Sequence, residues 1–134
     1  MWKEYNPSPL SKRTGDCAIR AVAKALDTDW ETAYVRLAMN GFAMADLPNE
    51  ASVVAATLRK NGFYRAAIPN TCPDCYTAEE FCEDNPEGTF ILCFGTHMAT
   101  VVDGDLYDTF DSSDMIPQWV WYEKDNPPKG EDDE

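Results

Sequence analysis

Gly95-Thr96-His97-Met98-Ala99-Thr100-Val101-Val102-Asp103-Gly104-Asp105-Leu106-Tyr107-Asp108-Thr109-Phe110 can be folded from its own pattern. Asp103-Gly104 sits between two alternating apolar runs, and this dipeptide suits a two-residue hairpin turn with positive φ at both central positions. With that loop Val102 faces Asp105, Val101 opposes Leu106, Ala99 opposes Asp108 and His97 opposes Phe110. Side chains alternate across a strand, so His97, Ala99 and Val101 share one face with Leu106, Asp108 and Phe110. His97 and Asp108 become diagonal neighbours on that face. Such positions lie roughly 7 to 8 Å apart at the backbone, within reach of an imidazole to carboxylate hydrogen bond. The one histidine of the chain thereby gains a carboxylate that orients it.

An oriented histidine is half of a nucleophilic pair, and Cys17 is the candidate for the other half. Thr14-Gly15-Asp16 is a polar, flexible lead into Cys17-Ala18-Ile19-Arg20-Ala21-Val22-Ala23-Lys24-Ala25-Leu26, a helical run. Arg20, Lys24 and Asp27 form one narrow stripe, and nearly all other positions are apolar, so this helix is expected to be buried on most sides. Cys17 continues the stripe at the helix start. A thiol there feels unpaired backbone N–H groups and the positive end of the dipole, both favouring thiolate. Asp16 opposes this electrostatically. Taken singly, a strand histidine is most often structural, and a cysteine heading an apolar helix most often a small core residue. Their conjunction with an acid on the next strand carries more weight.

In that order, Gly15-Asp16-Cys17-Ala18-Ile19-Arg20-Ala21, Gly88-Thr89-Phe90-Ile91-Leu92, Gly95-Thr96-His97 and the segment 101–112 resemble the papain-like cysteine peptidases, in particular the small papain-fold proteins of bacteria and their phages. The resemblance covers most of residues 5 to 123. It implies a nucleophile heading a central helix, with histidine and an Asn or Asp supplied by a C-terminal sheet: here Cys17, His97 and Asp108. The papain pattern also has a glutamine shortly before the cysteine as oxyanion donor. No glutamine precedes Cys17, and Asn6 is the nearest upstream amide that stands in for it. Phe110 stands where papain-like enzymes carry a tryptophan shielding the histidine to amide bond.

The length of 134 residues allows one domain with a modest core. A net charge of −13 and a pI near 4.3 argue against binding nucleic-acid phosphates or anionic membrane surfaces. Residues 1–123 are expected to form the single papain-like domain. The polar, proline-containing run 124–134 is expected to be a disordered acidic tail. No stretch has the length and apolarity of a membrane span, and Met1 to Pro7 lack the apolar centre of a secretory signal, so a cytoplasmic location is expected. Five cysteines without such a signal are expected as free thiols rather than a disulfide framework.

Along the chain, residues 1–15 are expected to run irregularly. Thr28-Asp29-Trp30-Glu31 reads as a capping box opening a second helix. Asn40-Gly41 reads as its left-handed stop. Ala51, Val54, Ala55 and Leu58 mark a third helix closed by Asn61-Gly62. Tyr64 to Ile68 reads as a short strand, and Thr77-Ala78-Glu79-Glu80 as another capping box. Residues 89–94 form a continuous apolar strand covered on both faces, and Trp119 to Tyr122 a last strand. The class is α+β, with N-terminal helices packed on a C-terminal antiparallel sheet.

Cys72-Pro73-Asp74-Cys75 is the rival constellation. Cys-x-x-Cys is half a zinc site and also a redox motif, but Cys82 on a helix and Cys93 in an apolar strand are not obvious further ligands. Asp103, Asp111 and Asp114 lack the glycine and terminal glutamate of a calcium loop. The expected function is therefore a cysteine hydrolase of peptidase, isopeptidase or amidase type. It would use Cys17, His97 and Asp108 through a thioester on a peptide or protein substrate, without metal or cofactor. The alternatives are a non-catalytic binding protein on the same fold and a zinc-stabilised interaction module built on Cys72 and Cys75.

Overall fold

In the computed structural model, which describes residues 1–11 and 15–129, Asp103 and Gly104 have φ values of 50° and 81°. The two-residue turn forms, and it sets the register read from the sequence: Val102 pairs with Asp105, Val101 with Leu106 and Thr100 with Tyr107. This hairpin joins β4 (His97–Val102) to β5 (Asp105–Asp108). On the other side β4 pairs antiparallel with β3 (Thr89–Phe94), Phe94 facing His97.

The remaining strands are β1 (Trp2–Glu4), β2 (Phe63–Ala67) and β6 (Trp119–Glu123), and the helices are α1 (Cys17–Ala25), α2 (Trp30–Met44), α3 (Ala51–Lys60) and α4 (Ala78–Asp84). The class is α+β. The sheet order is β1-β5-β4-β3-β6-β2, and two expectations are corrected by it. The N-terminal residues do not all run irregularly, because Trp2, Lys3 and Glu4 pair parallel with Leu106, Tyr107 and Asp108. The sheet is therefore mixed, and with β1 and β2 it is not confined to the C-terminal half. Three residues of strand carry too little alternation to be legible without their partner.

Strand β3 explains the layering. Phe90, Leu92 and Phe94 alternate with Ile91 and Cys93, so each face of the sheet takes one set. Ile91, with Phe63 and Trp121, joins Ala18, Ile19, Val22, Leu37 and Leu58 from the first three helices. Phe90, Leu92 and Phe94 join Phe81 of α4, Leu106 and Val120 on the opposite face. Burying Val22, which is wholly inaccessible, contributes about 1.5 to 3 kcal/mol. Thr100 Oγ1 donates to the Ala21 carbonyl at 2.7 Å and ties α1 to β4.

Two helix boundaries differ from expectation. Asp29, not Thr28, caps α2, accepting from Thr32 N at 2.7 Å; aspartate and threonine are adjacent competitors for one role. Helix α2 also runs through Asn40-Gly41 to Met44 and stops at Ala45, whose φ is 57°. Gly41 serves packing instead. A Cβ there would lie 2.7 Å from the Asp46 carbonyl oxygen, because the chain folds back over the helix. Thr77 and Glu80 do form the expected capping box on α4.

The Cys72-Pro73-Asp74-Cys75 loop departs from the expectation of free thiols: its two sulfurs form a disulfide. A zinc site would need both as thiolates, and among the described residues no group of three or more His, Cys, Asp and Glu gathers. Cys17, Cys82 and Cys93 remain as thiols. Part of the run from Lys124 onward, expected to be a disordered tail, is held against the domain. Asn126 Nδ2 donates to the Glu87 carbonyl, and Lys129 N donates to Asn85 Oδ1, while 130–134, like the basic Lys12-Arg13, lies outside the described residues. Among those residues no helix is long and apolar enough to cross a membrane.

Candidate active site

Cys17 is the first residue of α1 and His97 the first of β4. The turn before β4, with Gly95 at a φ of 73°, brings these two starts together. Cys17 Sγ lies 3.8 Å from the Thr96 carbonyl oxygen, and the thiol and the His97 imidazole are close enough to shift each other's titration. His97 Nε2 is 2.6 Å from Asp108 Oδ2, so Nδ1 is the ring nitrogen left for a proton exchange with the thiol. The parity deduced from Asp103-Gly104 is what places His97 and Asp108 on one face.

Asp108 is buried, and its carboxylate is fully engaged. Thr109 N–H donates to Oδ1 at 2.7 Å, and the Ser112 hydroxyl donates to Oδ2 at 2.7 Å. The latter shares its acceptor with His97, so the imidazole is directed at a carboxylate that is itself immobilised. Phe94 and Phe110 flank the ring, with centroids 6.0 and 5.1 Å away. Phe110, the residue that the resemblance casts as a shield, lies beside the ring and is itself 46% exposed.

The electrostatics favour a charged pair. Burial pushes the Cys17 thiol up, but the hydrogen bond with His97, the Met98 backbone and the charges of His97 and Arg20 outweigh it, and the thiol pKa is lowered from 9.0. Burial likewise lowers His97, yet its hydrogen bonds with Asp108 and Cys17 and their negative charges raise it from 6.5 to about 9. Asp16 opposes thiolate less than its position implies. Arg20 pairs with its Oδ1, and Trp30 Nε1 donates to its Oδ2 at 3.0 Å. Cys82 and Cys93 behave oppositely, since burial pushes both thiols up to about 11.

Cys17 and His97 open onto a cavity of about 720 Å³, a size typical of small-molecule and peptide-binding clefts. Asn6 is not among the residues lining it; its Oδ1 instead accepts from Ser8 N at 3.2 Å. The carboxamide that does line the cavity is Asn49, ahead of α3. Asn49, Arg65, Trp119 and Trp121 were not legible as site residues, because they reach the cavity only through the α3 packing and the β2–β6 pairing. Ser112 was equally hidden, being in a loop with no periodicity. Compared with known protein families, curated proteins and solved structures, the chain matches none.

Proposed function

We propose that this chain is a papain-like cysteine hydrolase. The observation carrying the reading is that an imidazole bonded to a buried, immobilised Asp108 stands with Cys17 at the wall of one open cavity. In the proposed reaction the Cys17 thiolate attacks a carbonyl carbon, giving a tetrahedral adduct with the charge on oxygen. The backbone N–H of Cys17 at the helix start has no helical partner and is one donor for that oxyanion. Imidazolium His97 then passes its proton to the leaving amine as the C–N bond breaks, producing a thioester. Water, deprotonated by His97, hydrolyses the thioester, releases the acid and restores the thiol. Asp108 holds the ring and favours its charged form throughout. The substrate in this reading is a peptide or another amide.

Iodoacetamide labelling of the folded protein at neutral pH tests the nucleophile. Thiolate is the reacting species, so Cys17 should be alkylated at least ~100-fold faster than Cys82 and Cys93, whose thiols are pushed up to about 11. His97→Ala should slow Cys17 without altering the other two. Comparable rates at all three thiols would refute the assignment, as would turnover of a peptide or isopeptide library that survives Cys17→Ala.

A further inference from the structure

Aspartate and glutamate outnumber lysine and arginine 24 to 11 in this chain, yet the cavity inverts that balance. Among the described residues no Asp or Glu lines it, whereas Arg20 and Arg65 do. Arg20 is committed to Asp16. Arg65 is on the exposed part of β2, and no carboxylate pairs with it among the described residues.

Its placement is built rather than incidental. Arg65 faces Trp121 across the β2–β6 ladder, and Trp119 faces Cys93 across β6–β3. Directly opposed residues of antiparallel strands share a face, so Arg65, Trp119, Trp121 and Cys93 belong to one wall. The Arg65 guanidinium lies 4.6 Å from the Trp119 ring centroid and 5.7 Å from that of Trp121. Stacking on indole occupies the flat face of a guanidinium and leaves its edge N–H groups to grip a carboxylate in a two-pronged fashion. The half-exposed Trp119 ring offers an apolar platform beside that grip.

Resting on the cysteine-hydrolase reading, we propose that the site selects an anionic substrate: a peptide or amide whose carboxylate binds the edge of Arg65 while neighbouring carbons lie on Trp119. The carboxylate is either an acidic side chain or a free C-terminus. Away from the cavity, the net charge of −13 repels such a ligand. The preference therefore belongs to the short range and is best read near physiological salt, where the screening length is about 8 Å.

Two matched pairs of chloroacetyl peptides test it through alkylation of Cys17, each rate divided by the same reagent's rate with glutathione. Chloroacetyl-Gly-Glu amide against chloroacetyl-Gly-Gln amide probes the side-chain source. Chloroacetyl-Gly-Gly as free acid against its amide probes the terminal source. At least one charged member should react about threefold to fivefold faster than its neutral twin, as a partly solvated ion pair supplies. Arg65→Gln should bring that ratio to one, and Arg65→Lys, which keeps charge without the planar fork, should retain part of it. Preference in one pair alone identifies the source. A ratio of one in both pairs, or a preference surviving Arg65→Gln, overturns the proposal. Fast labelling of Cys17 without preference would remove the subsite and leave the hydrolase reading intact. Preference with Cys17 no faster than glutathione would do the reverse.

Discussion

Replacing Asp108 separates the holding of the His97 ring from the supply of charge. Asp108 is 2% exposed and accepts from Thr109 N–H at Oδ1 and from Ser112 and His97 at Oδ2. Asparagine retains one carboxamide oxygen. Set at the Oδ2 position it keeps Ser112 and His97 but turns an NH₂ toward the Thr109 N–H, so one buried hydrogen bond is lost at a cost of about 1 to 3 kcal/mol. Alanine strands all three donors, which at about 1 kcal/mol or more each amounts to about 3 kcal/mol or more. The pH behaviour follows from the same contacts. His97 stays charged up to about 9, and Cys17 ionises below 9.0, so the thiolate–imidazolium pair occupies the interval between them. Asp108→Asn removes the negative charge supporting the imidazolium, so the His97 limit moves down toward 6.5. The weakened imidazolium in turn lets the Cys17 limit move up toward 9.0. The interval narrows from both ends. Iodoacetamide alkylation of Cys17 across mildly acidic to alkaline pH reads both inflections, and urea unfolding reads the stability. Asp108→Asn should keep a substantial part of the neutral-pH reactivity and Asp108→Ala much less. Unchanged inflections in Asp108→Asn would show that the carboxylate charge does not support His97. An alanine variant no less stable than the asparagine one would refute the three-donor geometry.

Ser112→Ala removes a wholly buried donor to a charged oxygen and should cost about 1.5 to 3 kcal/mol. With its competitor gone, Asp108 Oδ2 serves His97 alone, so the alkaline inflection should rise; a fall would contradict the shared acceptor. Gly41→Ala inside a helix ordinarily stabilises by about 1 kcal/mol. Here the new Cβ would meet the Asp46 carbonyl at 2.7 Å, and a net loss of about 1 to 3 kcal/mol is expected. A higher urea midpoint would show that the 46–48 backbone yields at no cost.

The parts of this molecule that were legible in the sequence are those whose cause is local. Asp103-Gly104 needs only its own φ preferences and the adjoining alternation, and it carries His97 and Asp108 into register with it. Thr77 and Glu80 satisfy each other's backbone within one turn, and the continuous apolar run 89–94 announces two covered faces. What escaped is set by distant partners. The three residues of β1 become a strand only because β5 offers a free edge. Gly41 looks like a stop signal until the 46–48 backbone is seen lying on it. Thr28 and Asp29 are both capping residue types, and Asp29 is the one whose side chain accepts from the Thr32 N–H. Arg65 and Trp119 acquire meaning only through β2 pairing with β6, two segments separated by more than fifty residues of sequence.

The same parity that unites His97 with Asp108 also sets them apart from Cys17. Met98 packs toward α1, so His97, one residue earlier, leaves the sheet on the opposite face, beside Phe94 and the α4 core. Cys17 heads α1, whose apolar residues Ala18, Ile19 and Val22 pack in the other core. Thiol and imidazole therefore meet over the end of the sheet, where the β3–β4 turn exposes the Thr96 carbonyl to Cys17 Sγ. Neither core alone fixes their separation. It depends on how far along β4 helix α1 is seated, which the Thr100 to Ala21 hydrogen bond determines from the α1 side, and on the grip of Asp108 and Ser112 from the other. A pair held in this way can be mispositioned by repacking of either core while each half remains intact. For that reason the reactivity of Cys17 is a finer gauge of the whole fold than stability, which sums over both cores and registers only the loss of one.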